Sequence, residues 1–220
     1  MTEKSYVPPL HRGLDIVYGD HALVVLGKPS GLLSVPGRGA EKQDCLARRV
    51  QAEFADALIV HRLDMETSGL LVFARGKEMQ RRLSILFQDR RVEKSYVAVV
   101  DGVMTTDHGD IALPLAADWP NRPRQKVDVL TGKPSLTHYR VLRYDPVEHN
   151  SRVELRPETG RTHQLRVHLQ ALGHPILGDA LYADTTVQAK APRLLLHADR
   201  LTFTHPESGE LLTYTCPAPF

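Results

Sequence analysis

Residues 61–75 read HRLDMETSGLLVFAR. The stretch Leu70–Ala74 is a continuous apolar run, short enough for a buried strand rather than a helix. Immediately before it the chain sets His61, Arg62 and Asp64, then a Thr67-Ser68-Gly69 turn. A fold that buries 70–74 must therefore hold a cation and a carboxylate at one end of that strand. Either Asp64 shapes a turn, or it is a reactive carboxylate held at the sheet edge.

The rest of the chain reads as an α+β fold. Short strands are expected at 14–18 and 22–26, followed by the Gly/Pro-rich loop LGKPSGLLSVPGRG. A helix is expected over 42–54, capped by Asp44, with Leu46, Val50 and Phe54 on one face. A second is expected over 77–90, with Met79, Leu83, Leu86 and Phe87 inward and Arg81, Arg82 and Gln88 outward. A strand at 94–100 precedes a proline-punctuated loop that runs to 134. Strands at 137–144 and 152–156 flank a turn. A third helix is expected over 162–172, with Gly160 or Thr162 near its cap, Leu165, Leu169 and Leu172 inward, and Gly173 as its stop. Strands at 194–198, 201–204 and 210–215 complete the chain. Many strands, few helices and little βαβ alternation predict a mixed, mainly antiparallel sheet flanked by helices and loops. No Pro/Gly/Ser linker divides the chain, so residues 1–220 are expected to form one domain.

Composition narrows the function classes. With 42% hydrophobic and 25% charged residues, the 220-residue chain is ordinary for a soluble protein. It has no apolar run near the roughly 20 residues that span a bilayer. MTEKSYVPPLHRG has no apolar segment of signal type, and Cys45 and Cys216 form no CxxC pair; both features fit a cytoplasmic protein with free thiols. The net charge is only +2, but the cations are mostly arginine and cluster at 48–49, 81–82, 90–91 and 122–126. The pairs at 48–49 and 81–82 read as solvated helix faces.

The chemistry is found by elimination only in part. There is no HExxH, no cysteine pair, and His163 and His168 miss the i, i+4 helix face, so a metal site is not expected. Neither GxGxxG nor GxxxxGK[ST] is present, and no GxSxG elbow begins a serine triad. A two-carboxylate glycosidase would need a second acid across a cleft, and Glu66 is too close in sequence to Asp64. Asp64 with a neighbouring cation remains. Arg161 and Arg166 in GRTHQLRVH are candidates to reach it, as a catalytic partner or as a structural ion pair. Tyr96 opens a strand, where it either caps a pocket or is a half-buried sheet aromatic. DWPNRPRQKV joins Trp119, the only tryptophan, to Arg122, Arg124 and Lys126 between prolines. Such a stiffened aromatic and basic loop suits unpaired RNA, whose bases stack while cations meet phosphates.

HRLDMETSGLLVFAR resembles the signature of the RluA family of pseudouridine synthases, and the resemblance runs through the chain. KPSG at 28–31, Lys94-x-Tyr96, GRTHQLRVH at 160–168, LGHPILGD at 172–179 and RLLLHA at 193–198 occur in the family's order. The resemblance implies a pseudouridine synthase catalytic domain without the N-terminal S4-like module of other relatives. It implies an isomerase of uridine in RNA that needs no cofactor and no metal. The chain is expected to act as a monomer, with no membrane association. Asp64 matches the essential aspartate, which either attacks C1′ or deprotonates C2′. Tyr96 matches the residue stacked on the target base, and Arg166 matches the basic partner of the aspartate. Arg62 is placed to fill the space left by a flipped nucleotide. DWPNRPRQKV, PPL near the start and the short length are similar to the member that modifies both large-subunit rRNA and tRNA stem-loops. Two rival readings remain: a silent RNA-binding module on the same fold, and a nucleoside hydrolase that would release uracil.

Overall fold

The structure, a computed structural model, describes residues 6–220. Residues 1–5, which open the stretch expected to carry no signal segment, lie outside the described residues. In chain order the elements are β1 (Asp15–Gly19), β2 (Leu23–Lys28), α1 (Leu46–Glu53), β3 (Ala57–Ile59), β4 (Ser68–Arg75), α2 (Lys77–Gln88), β5 (Glu93–Asp101), β6 (His108–Ala112), β7 (Leu115–Ala117), β8 (Gln125–Val127), β9 (Leu136–Asp145), β10 (Asn150–Pro157), α3 (Gln164–Ala171), α4 (Thr185–Ala189), β11 (Leu196–Thr204) and β12 (Leu211–Thr215). The fold is α+β with mainly antiparallel strand pairs, as expected. The chain forms two compact units. One takes the chain to Val92 and adds Ala198–Pro217; the other holds Glu93–His197 and Ala218–Phe220.

In the first unit, β2 pairs antiparallel with β1 on one side and β4 on the other, and β3 also pairs with β4. Every residue of β2 and all of β4 except Arg75 are buried. Both strands are covered on both faces, which is why 70–74 reads as an unbroken apolar run instead of an alternation. On one face Leu23, Val25, Leu70, Val72 and Ala74 pack with Met79, Leu83 and Leu86 of α2 and with Phe203 and Tyr214. Each fully buried Val, Leu, Met or Phe among them contributes about 1.5–3 kcal/mol. Arg81 and Arg82 point outward and share Glu78, as their solvated reading predicts.

Three expectations need correction. Helix α1 begins at Leu46, and its N-cap is Cys45 without a side-chain cap bond. Asp44 does not cap it, because both of its oxygens accept from Arg49, at 2.8 and 2.7 Å. Arg49 also donates to the Pro9 carbonyl and is buried, so it is not part of a solvated face; Arg48 alone is exposed. The strands expected at 194–198 and 201–204 are one continuous strand, β11, whose segment from Arg200 pairs with β12.

In the second unit, β10 lies between β5 and β9, and β6 pairs with β9. The stretch expected to be loop as far as 134 contains β6 and the separate hairpin β7–β8. The hairpin strands have three residues each, too short to show a period. Helix α3 starts at Gln164, not Thr162, and its N-cap is His163 in the left-handed conformation, φ 55°. The Gln164 side chain orders this turn: Oε1 accepts from Thr159 Oγ1 and Arg161 N, while Nε2 donates to Leu136 O and Thr137 Oγ1. Leu165 and Leu169 face the core with Val153, Leu155 and Ala98. Leu172 does not: it is the C-cap and is 40% exposed. Gly173, φ +86°, ends the helix as expected, its N–H donating to Gln170 O.

Candidate active site

Asp64 sits in a turn whose backbone is held carbonyl by carbonyl. Leu63 O accepts from Ser34 Oγ at 2.7 Å, and Asp64 O accepts from Thr67 N at 3.2 Å. Met65 O accepts from Gly31 N at 2.9 Å and from Lys28 Nζ at 2.8 Å, and Glu66 O accepts from Ser30 Oγ at 2.7 Å. Leu63 N also donates back to Ser34 Oγ. Segment 28–34, KPSGLLS, thus supplies a donor to the residue before Asp64 and to both residues after it. Lys28 is 2% exposed and also donates to Pro29 O and Leu32 O, so its ammonium joins two stretches of backbone. A buried ammonium is tolerated where its protons meet such acceptors. KPSG is legible as a motif, but the hydrogen bonds that Lys28, Ser30 and the later Ser34 make to the turn around Asp64 are not.

The two ends of the HRLD segment are anchored separately. His61 Nε2 accepts from Val72 N at 3.0 Å, and its ring stacks on Phe87, centroids 4.4 Å apart. At the start of β4, Gly69 adopts φ +107°, and a Cβ there would meet Ala198 O at 2.3 Å. Only glycine satisfies both conditions. Between these anchors Asp64 is half-buried and Arg62 exposed.

Arg166 and Tyr96 lie in the second unit. Arg166 is 3% exposed on α3 and forms a bidentate pair with Asp179, Nε to Oδ2 at 2.8 Å and Nη2 to Oδ1 at 2.7 Å. Its guanidinium also lies over the Tyr182 ring, 5.0 Å from the centroid. Asp179 and Tyr182 were not singled out from the sequence, although Asp179 ends the LGHPILGD motif. Tyr96 is half-buried on β5, opposite Leu155, against the cluster that contains Leu165 and Leu169.

Trp119, Arg122, Arg124 and Lys126 belong to the β7–β8 hairpin and its tip. Asp118 N donates to Arg124 O, and the tip turns through the 3-10 segment Trp119–Asn121. Trp119 is 65% exposed, with the Arg122 guanidinium 4.1 Å from its ring centroid, so one basic group and the aromatic plane form a single stacked element. Arg124 is exposed, and Lys126 lies 3.5 Å from Asp128. Among the described residues, no group of three or more His, Cys, Asp or Glu side chains converges as metal ligands. None of the described helices is long and apolar enough to cross a membrane.

Residues 22–171 match the RNA pseudouridylate synthase family. The chain is 50% identical over 220 residues, all of both chains, to the dual-specificity RNA pseudouridine synthase RluA of Escherichia coli K12. It is 47% identical over 216 residues, 98% of each chain, to the protein of the same name from Haemophilus influenzae. Among solved structures it is similar to human RNA pseudouridylate synthase domain containing 1, with a TM-score of 0.81 and 31% identity, covering 97% of this chain and 87% of that one. The chain therefore belongs to the RNA pseudouridylate synthase family and is an isomerase of RNA.

Proposed function

We propose that this enzyme converts uridine to pseudouridine in stem-loops of both large-subunit rRNA and tRNA, with Asp64 as its essential carboxylate. The dual target rests on one observation: 50% identity, end to end, to relatives whose name states dual specificity. In the reaction the N1–C1′ bond breaks, the uracil turns, and C5 bonds to C1′; C5 gives up its proton and N1 gains one. Asp64 acts on the sugar, by attack at C1′ or by removing the C2′ proton. Its turn is clamped on either side, which holds the carboxylate's backbone fixed and favours one attack geometry. Tyr96 stacks on the target base with its ring face, and Arg166 is the basic partner of the carboxylate. Arg62, exposed beside Asp64, fills the gap left when the nucleotide leaves its stack. Trp119, Arg122, Arg124 and Lys126 hold the surrounding RNA by stacking and phosphate contact.

Mapping pseudouridine in rRNA and tRNA from cells with and without the gene tests this reading. Loss at one large-subunit rRNA site and at one anticodon stem-loop site is the expected result. Loss confined to one RNA class would reduce the assignment to a single-substrate enzyme, and release of free uracil by the purified protein would make it a hydrolase.

A further inference from the structure

Arg166 is held by more than an ion pair. Asp179 Oδ1, which accepts from Arg166 Nη2, also accepts from Leu181 N at 2.8 Å and Tyr182 N at 3.1 Å. The carboxylate is itself 0% exposed. It therefore fixes two things at once: the Nε/Nη2 edge of the guanidinium, and the turn that carries Tyr182. The Tyr182 ring returns to lie over the same guanidinium, so Arg166 is constrained in its plane by Asp179 and across its face by Tyr182.

The Tyr182 hydroxyl reaches further. It accepts from Gln125 N at 2.7 Å, at the start of β8, and shares a hydrogen bond with His163 Nδ1 at 2.6 Å. His163 is the left-handed N-cap of α3, three residues before Arg166. The Tyr182 ring packs with Leu115 of β7 and Val167 of α3, and Val127 of β8 closes the same small cluster. One side chain thus touches the arginine, the start of its helix and both strands of the hairpin that presents Trp119, Arg122 and Arg124.

We propose that Asp179 and Tyr182 are positioning residues for Arg166, and that the Tyr182 hydroxyl ties the β7–β8 hairpin to the arginine so that RNA held at the hairpin tip meets a pre-set guanidinium. The proposal rests on the role given to Arg166 in the proposed function. A structure-only role would affect folding; a positioning role slows the reaction on RNA that is already bound.

Tyr182→Phe separates the two, because it keeps the ring over Arg166 and the apolar packing while removing only the hydroxyl. The assay is single-turnover pseudouridine formation in a synthetic anticodon-type stem-loop at saturating enzyme, with RNA affinity and thermal melting measured on the same preparations. The rate constant is expected to fall about tenfold, with affinity unchanged. Asp179→Asn should fall further, about a hundredfold or more, with Asp179→Glu recovering part of the loss. If Asp179 variants do not fold, Tyr182→Phe decides alone. A Tyr182→Phe rate within about twofold of wild type overturns the proposal. Arg166→Lys, assayed beside it, identifies which reading failed. A slow Arg166→Lys with a normal Tyr182→Phe removes only the positioning role, whereas a normal Arg166→Lys removes the role of Arg166 and the proposal with it.

Discussion

Lys28 Nζ lies 2.8 Å from the carbonyl oxygen of Met65, one residue beyond Asp64. The same ammonium bonds Pro29 O and Leu32 O, so the loop after β2 and the loop before β4 share one buried cation. Hydrogen bonds from charged donors contribute about 1.5–3 kcal/mol each, more than neutral ones.

Lys28→Met fills a similar volume without the donors. It leaves Met65 O with the Gly31 N–H and removes the charged donor from the other two carbonyls. Removal of the ammonium also relieves its desolvation, so the net loss of stability is expected to be modest, about 1–3 kcal/mol. The larger effect is expected on turnover, at least about tenfold, because the Asp64 turn loses the one charged donor among its ties. Denaturant unfolding beside stem-loop kinetics checks both; normal turnover with lowered stability would make Lys28 a purely structural residue.

Acidification is expected to destabilise the protein below about pH 6.5, and His168 supplies the sign. His168 is fully buried, its Nδ1 near Thr137 Oγ1 and its Nε2 near Ser135 Oγ and Leu113 O. Burial lowers its pKa from the ordinary histidine value, with the Leu113 carbonyl opposing. The unfolded chain therefore takes up a proton that the folded chain refuses, and stability falls as pH drops from about 6.5 toward the lowered value. His138 has the opposite sign: Asp110, then Glu158, raise its pKa, so its contribution is present below about 6.5 and is lost as pH rises through the raised value. Its side chain is 40% exposed and screened by water, so the buried group is expected to dominate. Melting temperatures from pH 5 to 8 should fall on the acid side, and His168→Gln should flatten that slope. An unchanged slope would assign the acid sensitivity to other groups.

Much of this arrangement was legible from the sequence, and the misses share a physical cause. The run 70–74 and the 77–88 helix announce themselves because their burial is strong and periodic. Asp64 stands out because a carboxylate beside a buried strand requires a reason. The hairpin β7–β8 was hidden because three-residue strands between prolines carry no period. Asp44 has the right position and chemistry for a cap, yet Arg49, five residues on, takes both its oxygens. A competing tertiary partner is invisible in a local pattern. The same holds for Lys28 and Asp179, whose partners are 37 and 13 residues away. Their motifs can be quoted from the sequence, but their partners are set by the fold.

The hairpin tip is expected to supply phosphate contacts. Arg122→Ala with Arg124→Ala should weaken RNA binding and reduce the slope of log affinity against log salt by roughly one unit per lost contact. Arg122 also covers the Trp119 ring, so its loss removes a stacking partner as well as a charge. Chemistry on bound RNA at saturating enzyme should survive. Affinity measured across a salt series decides: an unchanged slope would move the RNA contact to another basic surface, with exposed Arg90-Arg91 the first to examine.

The most direct test of the account is single-turnover pseudouridine formation by Asp64→Asn. Asparagine keeps the shape of the side chain within the clamped turn but has no carboxylate to act at the sugar. The account predicts no detectable pseudouridine, with melting temperature and RNA affinity close to wild type. Activity within about tenfold of wild type, a change of only about 1.4 kcal/mol in the barrier, would contradict it and remove Asp64 from the chemistry.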